Sequence, residues 1–188
     1  MEYNTEFWNK YSEKSESQYN EEFAKFIRDL VVSLRCNSVL EVGCNAGNAL
    51  RLFPENFEAH GIDLNENSLE RARKNHPSFK FQNGSVTKIP FEDSSIDFVF
   101  THMMLNYIPA EDMPKAISEM FRVSKKYLLT CELFDENESP IEDEIQCWNR
   151  NVCQRWVDYK VKIISDVDMH EEIDPKKTRF TLVKKLQT

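Results

Sequence analysis

The sequence alternates between short apolar runs and segments with helical spacing, and this alternation restricts the fold more than any other feature. Five runs have strand patterns: residues 38–43, 59–64, 79–82, 95–100 and 127–131. The run at 79–82 alternates between apolar and polar residues and is expected nearer an edge of the sheet. Helical spacing marks the segments around them: residues 23–34, 48–53, 65–75 and 113–121. Asn20 is the predicted N-cap of the first of these helices. Strands that alternate with helices form βαβ units, whose strands pair in parallel. The alternation therefore predicts an α/β fold built on a doubly wound, mainly parallel sheet.

The C-terminal part of the chain departs from this alternation. Residues 161–164 and 178–183 have strand patterns, and the stretch between them, which contains Asp174 and Pro175, has no helical spacing. Two strands joined without a crossover helix pair antiparallel, so we predict an antiparallel C-terminal strand pair. The segment 135–160 is less regular, and its spaced apolar residues suggest a helix: Trp148, Val152, Trp156 and Tyr159.

Composition and charge exclude several classes of protein. The chain has 188 residues, 40% hydrophobic content and a net charge of −8, which is typical of a globular domain. No apolar run approaches the ~18 residues of a membrane span, and the N-terminus lacks the pattern of a signal peptide. The acidic balance disfavours nucleic acid as a partner, because phosphate contacts need clustered Lys and Arg. Five Cys without a Cys-x-x-Cys pair favour a reduced, cytoplasmic protein without a metal.

The first predicted strand ends in a loop that holds two of the chain's four glycines. The loop reads Glu41-Val42-Gly43-Cys44-Asn45-Ala46-Gly47. In a doubly wound sheet, nucleotide-like ligands bind at this place. Asp63 follows Gly43 by twenty residues and ends the second strand, a spacing that suits a carboxylate bonded to ribose hydroxyls. A loop glycine pair with a helix-capping aspartate is the alternative without a ligand.

The loop also discriminates between possible nucleotides. The dinucleotide fingerprint G-x-G-x-x-G would need glycine at positions 45 and 48, where this chain has Asn45 and Asn48. Glu41 would repel a pyrophosphate and attract a cation. S-adenosylmethionine (SAM) carries a ribose, an ammonium and a sulfonium but no phosphate, so these residues favour SAM as the cofactor. A nicotinamide-dependent oxidoreductase on a similar sheet stays open as a rival.

Motifs in a fixed order resemble those of class I SAM-dependent methyltransferases, which have a Rossmann-like fold. They are Glu-x-Gly-x-x-x-Gly at 41–47, Gly61-Ile62-Asp63, and Asn83-Gly84-Ser85-Val86 followed by the strand at 96–99. The resemblance covers about residues 20–134 and implies that the loop holds the methionyl part of SAM, Asp63 the ribose, and Leu64 one side of the adenine. Asn45 replaces the usual middle glycine, and because asparagine tolerates a left-handed backbone we expect the loop to form with it. Ser85 stands where the family often has an acid. The implied cofactor-binding residues are Glu41, Gly43, Cys44, Asn45, Gly47, Asp63, Leu64, Ser85, Val86 and Thr101.

A second, narrower resemblance concerns the acceptor. Phe7-Trp8, the segment 105–109, Glu132 and Ser139-Pro140 are similar to residues of small methyltransferases associated with pseudaminic acid and surface-sugar biosynthesis. The resemblance implies a small-molecule acceptor, such as a sugar or a sugar nucleotide. A non-catalytic SAM-binding module is the alternative, motivated by Asn45 and Ser85.

Three residues at the carboxyl edge of the sheet are candidates for catalysis. His102 follows the fourth strand and is a candidate general base, because its pKa is ordinarily near neutral. Tyr107 is a candidate for orienting the acceptor, and Glu132 ends the fifth strand on the same edge. The alternatives are a histidine bonded to backbone, a packed tyrosine and a buried salt bridge.

Two segments lie outside the resemblance. Residues 1–18 carry Phe7, Trp8 and Tyr11, and we predict either a lid over SAM or a terminus docked on the core. Residues 19–188 form the predicted methyltransferase domain, within which 135–160 is expected to be an insertion on the acceptor side. Its Trp148, Arg150, Arg155 and Trp156 either line the acceptor pocket or pack on the sheet. The predicted assembly is a monomer or a homodimer.

Overall fold

The computed structural model describes residues 5–14, 19–141 and 147–186. The strands in chain order are β1 (Ser38–Val42), β2 (Glu58–Asp63), β3 (Lys80–Asn83), β4 (Ile96–His102), β5 (Ser124–Glu132), β6 (Pro140–Ile141), β7 (Cys147–Trp148), β8 (Val161–Asp168) and β9 (Arg179–Lys185). The helices are α1 (Thr5–Glu13), α2 (Glu21–Ser33), α3 (Glu66–Asn75), α4 (Met113–Val123) and α5 (Val152–Arg155). Two 3-10 turns lie at Asn48–Leu50 and Leu105–Tyr107.

Seven of these strands form one sheet in the order β3-β2-β1-β4-β5-β9-β8. The five strands from β1 to β5 are parallel to their neighbours, whereas β9 pairs antiparallel with both β5 and β8. The predicted doubly wound sheet with an antiparallel C-terminal pair is therefore confirmed. After β3 the chain returns to the other side of β1, and the crevice between β1 and β4 is the place where such sheets bind ligands.

The sheet separates two hydrophobic clusters. Successive residues of a strand point to opposite faces, so Val39 packs with Phe23 and Ile27 of α2, whereas Leu40 packs with Met120 of α4. The apolar runs of the parallel strands are thus covered by helices on both faces, as the sequence pattern indicated. This packing fixes the strand ends from which the site is built.

The helix starts follow from local chemistry. Asn20, the predicted cap of α2, accepts a hydrogen bond from the amide of Phe23 at 3.1 Å. Asn65 caps α3 in the same way, through the amide of Ser68 at 3.2 Å. The predicted helical segment at 48–53 is a single 3-10 turn, because Gly47 has a left-handed backbone and Pro54 follows closely.

The helix suggested by apolar spacing within 135–160 is shorter than expected. Among the described residues of this segment only Val152–Arg155 are helical, and residues Cys147–Trp148 form β7, paired with β6. Residues 142–146 of this segment lie outside the described residues, as do residues 1–4 and 15–18 of the predicted N-terminal segment. Within the described ranges, no helix is long and apolar enough to cross a bilayer.

Candidate cofactor and acceptor site

The carboxyl ends of β1, β2 and β4 surround one cavity of about 460 Å³. Cavities of ~300–1,000 Å³ are typical of small-molecule sites. The loop after β1, the β2–α3 connection and the turn after β3 form one half of its wall. The segment after β4 and two N-terminal aromatic residues, Trp8 and Tyr11, form the other half. The cavity thus has two halves. The predicted cofactor motifs form the cofactor half, and the residues around His102 form the acceptor half.

The loop after β1 turns sharply through left-handed backbone. Gly43, Asn45 and Gly47 have φ values of 79°, 47° and 76°. Asn45 adopts the left-handed conformation at the position where glycine is usual, as predicted. The amides of Gly43 and Cys44 both donate to the carbonyl of Ile62, at 2.8 and 2.9 Å. These bonds hold the loop against the end of β2.

Gly43 is required by space as well as by backbone conformation. A Cβ atom at this position would lie closer to Cγ of Met104 than any two non-bonded carbon atoms approach. The loop after β1 therefore packs directly on the segment after β4. The two halves of the cavity meet at this contact.

Asp63 ties the loop to the start of α3. Its Oδ2 accepts from the amide of Asn45 at 2.9 Å, and its Oδ1 accepts from the amide of Asn65 at 2.8 Å. Burial raises the pKa of Asp63, and the backbone hydrogen bonds oppose that effect. Each carboxylate oxygen has a second lone pair, so the side chain can still accept bonds from a ligand on the cavity wall.

Glu41 is a buried carboxyl with an unused acceptor. It is 5% exposed, and its Oε2 has no hydrogen-bond partner among the described residues. Burial, with the charge of Asp63 as a second cause, raises the pKa of Glu41 well above its ordinary range. Oδ1 of Asn45 is a second buried acceptor without a partner in the described part of the chain. Buried polar atoms are ordinarily paired, so two unpaired acceptors on one wall fit a ligand that donates hydrogen bonds and carries positive charge.

His102 lies on the cavity wall and is held from two sides. Its Nε2 lies 3.2 Å from Oδ2 of Asp174, and its ring stacks on Phe23 with centroids 3.9 Å apart. Burial opposes ionisation of Asp174, but hydrogen bonds from His102 and Thr178 outweigh it and lower the pKa of Asp174 to about 2. An ionised Asp174 accepts the proton of Nε2, which leaves the lone pair of the neutral ring on Nδ1. This arrangement suits a general base.

Glu132 does not line the cavity and has a different environment from the one predicted. It is 1% exposed, accepts from the hydroxyl of Thr101 at 2.6 Å, and accepts from the amide of Asn106 at 3.3 Å. Burial raises the pKa of Glu132 to about 7, against the effect of these hydrogen bonds. No salt bridge involving Glu132 is present among the described residues. Glu132 lies behind the wall and holds the segment that follows β4.

Most residues of the predicted set come together at the cavity, and three do not. The predicted residues that line it are Glu41, Gly43, Cys44, Asn45, Asp63, Leu64, Ser85, Val86, His102 and Tyr107. Gly47, Thr101 and Glu132 are not part of the wall. The hydroxyl of Ser85 already bonds to the hydroxyl of Thr87 at 2.8 Å, which reduces its capacity toward an adenine.

The N-terminal helix α1 covers part of the cavity and is also docked. Trp8 meets Tyr107 edge to face, with ring centroids 5.0 Å apart. Oδ1 of Asn9 accepts from the side-chain amides of Asn65 and Asn67, at 3.0 and 2.9 Å. Helix α1 thus packs on the domain and contributes cavity wall, and a role as a lid over SAM stays a prediction.

Sequence reasoning missed two groups on the acceptor side. Phe23 and Asn20 line the cavity, although their spacing marked them as a core residue and a helix cap. Asp174 reaches His102 from the β8–β9 connection, 72 residues away in the chain. No local motif marks such a pair, because it depends on how β9 is placed in the sheet.

Arg150 and Trp156 lie inside the fold instead of on the cavity wall. The guanidinium of Arg150 is buried, donates to the carbonyls of Leu105 and Ile108, and pairs with Glu138. Trp156 is 1% exposed and packs in the cluster below α4. The described part of 135–160 therefore supports the 105–109 segment from behind.

Comparison with known proteins agrees with this geometry. Residues 39–127 match the family described as a methyltransferase domain, and they include β1 through β4 with the glycine loop and Asp63. The match covers 89 of the 188 residues, and over this range the chain is similar to methyltransferase domains. An amino pentose methyltransferase from Micromonospora echinaspora, solved with SAM bound, has a TM-score of 0.72 and 12% identity, and covers 94% of this chain and 96% of its own. That likeness shows a shared fold.

Curated relatives match the methyltransferase domain only in part. An uncharacterised protein of Haemophilus influenzae is 40% identical over 95 residues, which cover 46% of this chain and 38% of the relative. The malonyl-[acyl-carrier protein] O-methyltransferase of Pectobacterium atrosepticum is 24% identical over 88 residues, which cover 46% of this chain and 34% of the relative. In both cases the match spans less than half of the relative's length. These matches support the domain and do not identify the acceptor.

Proposed function

We propose that this chain transfers a methyl group from SAM to a small-molecule acceptor. The observation that carries the proposal is the unpaired Oε2 of Glu41, buried on the cavity wall beside the loop after β1. An ammonium group is the ligand chemistry that would satisfy this carboxylate, and a phosphate would not. The match of residues 39–127 to the methyltransferase domain supports the same reading.

The cofactor half would hold SAM along its length. Glu41 and Oδ1 of Asn45 would receive the ammonium of the methionyl part, and Asp63 would accept from the ribose hydroxyls. Leu64, which is 46% exposed and lines the cavity, would provide an apolar face for the adenine. The hydrogen bonds from Asn45 and Asn65 keep the Asp63 carboxylate in place before any ligand binds, which lowers the ordering cost of binding.

The acceptor half would position a nucleophile and take its proton. SAM, when bound, supplies a methyl group on a cationic sulfur, and that sulfur keeps the bonding electron pair when an acceptor oxygen or nitrogen takes the methyl. Nδ1 of His102 would accept the proton that a hydroxyl acceptor loses, and Asp174 would stabilise the resulting imidazolium. Trp8 and Tyr107 would hold the acceptor close to His102, and alignment of this kind contributes several kcal/mol to rate. A sugar is a fitting acceptor, since the faces of such rings pack on aromatic side chains.

Calorimetric titration with SAM and with S-adenosylhomocysteine tests the cofactor half. We expect both to bind the wild type. We expect Glu41→Gln to weaken binding roughly 10- to 100-fold, since a hydrogen bond to a charged group contributes about 1.5–3 kcal/mol. Asp63→Ala should also weaken binding, whereas Glu70→Gln, an exposed acid on α3, should not. Absence of binding by the wild type, or unchanged affinity in both site variants, would refute the proposal.

Turnover of labelled SAM with small-molecule extracts tests the transfer itself. We expect methyl incorporation that falls by about 100-fold or more in His102→Ala, the lower range for a general base. Affinity for S-adenosylhomocysteine should stay within about twofold in that variant, because His102 lies in the acceptor half. Cofactor binding without any turnover would instead favour a non-catalytic binding module.

A further inference from the structure

The cavity wall has an unbalanced set of charges. It contains three carboxylates, Glu41, Asp63 and Asp112, and none of the residues lining it in the described ranges is Lys or Arg. Residues 1–4, 15–18, 142–146 and 187–188, which lie outside those ranges, contain no Lys or Arg in the sequence either. The side chains that line the cavity in the described ranges therefore offer no Lys or Arg to a ligand, and His102 is already bonded to a carboxylate.

A bound cofactor would not reverse this imbalance. SAM carries an ammonium and a sulfonium against one carboxylate, so it contributes one net positive charge to a wall with three ionisable carboxyls. With those carboxyls ionised, the loaded cavity keeps a net negative charge. An anionic acceptor would have to enter this field without an opposing Lys or Arg, which is costly in a partly buried site.

The helix end at the rim of the acceptor half does not provide an anion site. Helix N-termini bind phosphate through free amides and the helix dipole. At the start of α4, the amide of Met113 donates to the carbonyl of Pro109 at 3.2 Å, and Pro114 has no amide hydrogen. Asp112 adds a carboxylate at the same end. The amides of Met113 and Pro114 are therefore not available to an anion, and the carboxylate of Asp112 opposes one on the cavity wall.

The remaining surface of the acceptor half is aromatic. Trp8 and Tyr107 meet edge to face with centroids 5.0 Å apart, and Phe23 and Tyr11 line the same cavity. Aromatic faces bind the apolar face of an uncharged ring and also attract cations. Anions, by contrast, are disfavoured over the negative face of an aromatic ring. The aromatic residues and the carboxylates thus both favour an uncharged or cationic acceptor over an anionic one.

We infer that the acceptor is an uncharged or cationic small molecule with a free hydroxyl or amine. Acceptors that carry a phosphate, sulfate or carboxylate are excluded, and sugar nucleotides are among them. The type of reaction in this inference rests on the proposed function. The charge of the acceptor is argued from the carboxylates of the whole cavity wall and from the aromatic residues of the acceptor half. It narrows the expectation drawn from the sequence, which admitted sugar nucleotides.

Charged quenchers of Trp8 fluorescence test the inference without knowledge of the acceptor. The probes are iodide, caesium and neutral acrylamide, applied at constant ionic strength to protein saturated with S-adenosylhomocysteine. Each quenching constant is divided by the constant that the same probe gives with free N-acetyltryptophanamide, because iodide is intrinsically a stronger quencher than caesium, and these ratios are compared. The Trp8 signal is the difference between the wild type and Trp8→Phe, which removes the contributions of Trp148 and Trp156. We expect caesium and acrylamide to quench Trp8 several-fold more strongly than iodide does. Asp112→Asn should reduce the difference between iodide and caesium.

Two results would overturn the inference while leaving the proposed function intact. One is quenching of Trp8 by iodide that equals or exceeds quenching by caesium. The other is methyl incorporation from labelled SAM into the part of a cell extract that an anion exchanger retains at pH 7. Incorporation into the unretained part supports the inference. Failure of S-adenosylhomocysteine to bind at all would refute the proposed function instead, and calorimetry detects that separately.

Discussion

Replacement of Glu132 by glutamine should change how the stability of this protein depends on pH. Glu132 is 1% exposed and lies below the cavity, where it accepts hydrogen bonds from Thr101 and from the amide of Asn106. Burial raises its pKa from the ordinary 4.5 to about 7. The folded protein therefore holds a proton that the unfolded chain releases at neutral pH, and folding becomes less favourable as the pH rises.

The magnitude follows from the size of the pKa change. A shift from 4.5 to about 7, at ~1.36 kcal/mol per pKa unit, corresponds to about 3 kcal/mol at saturation. The stability that protonated Glu132 confers is fully present below pH 4.5, is lost as the pH rises, and levels off above about pH 7. Roughly 2–3 kcal/mol of this loss falls between pH 5 and pH 8. A glutamine side chain does not titrate, so the loss attributable to this position should be absent from Glu132→Gln.

Urea denaturation of both proteins at half-unit steps from pH 5 to pH 8 measures the effect. The other titrating groups are common to both proteins, so the difference between the two unfolding free energies isolates Glu132. We expect this difference to change by roughly 2–3 kcal/mol in favour of Glu132→Gln as the pH rises. A constant offset reflects the altered hydrogen bond with Thr101 and does not affect the test. Parallel curves over the whole range would refute the reasoning that burial dominates the environment of Glu132.

A matched control addresses the hydrogen bond that opposes burial. Thr101→Val removes the hydroxyl that donates to Glu132 at 2.6 Å. Because this hydrogen bond lowers the pKa of Glu132, its loss should raise that pKa further and extend the pH-dependent loss of stability to higher pH. If the pH-dependent loss of stability instead moves to lower pH in Thr101→Val, then the Thr101 hydrogen bond does not lower the pKa of Glu132, and the reasoning is wrong.

Three further predictions concern two residues of the cavity wall and Asp174, which bonds to His102. Burial and Asp63 raise the pKa of Glu41, so binding of the ammonium of S-adenosylhomocysteine should release a proton, and the affinity should increase as the pH rises. Calorimetry in buffers of different ionisation enthalpy measures the proton release. Glu41→Gln should abolish both the proton release and the pH dependence. Gly43→Ala should cost about 1–3 kcal/mol in urea denaturation, because φ is 79° and the added methyl group would overlap the side chain of Met104. Asp174→Asn should lower kcat for a hydroxyl acceptor at least about tenfold and change the pH profile of kcat, because the carboxylate acts through His102. The cofactor affinity of this variant should stay within about twofold of the wild type.

The cofactor half was predictable because its signals are local. The apolar run of β1, the glycines that follow it and the position of Asp63 lie within 26 residues, numbered 38 to 63. Strand, turn and helix cap each follow from neighbouring residues, and the parallel sheet then brings the strand ends together. Even the substitution at Asn45 was interpretable, since its left-handed backbone is a property of one residue.

The positions of Thr101 and Glu132 were not predictable to the same level. Both sit at strand ends beside the cavity, but successive residues on a strand face opposite sides. His102 faces α2 and stacks on Phe23, so Thr101 faces the other side, where it bonds to Glu132 beneath the 105–109 segment. Which face of the sheet the last residues of β4 and β5 point to depends on tertiary packing, and the sequence pattern does not specify that packing.

The two halves of the cavity differ in how they are held, and this difference has a functional consequence. The cofactor half is fixed by short-range backbone bonds, such as those from Asn45 and Asn65 to Asp63. The acceptor half is assembled from segments far apart in the chain, with His102 bonded to Asp174 and Trp8 meeting Tyr107. Substitutions in those distant segments can change the acceptor while the cofactor loop stays intact. The fold therefore separates the residues around the loop after β1 from those around His102, and the wall residues of the second part in the described ranges include aromatic rings and Asp112 but no Lys or Arg.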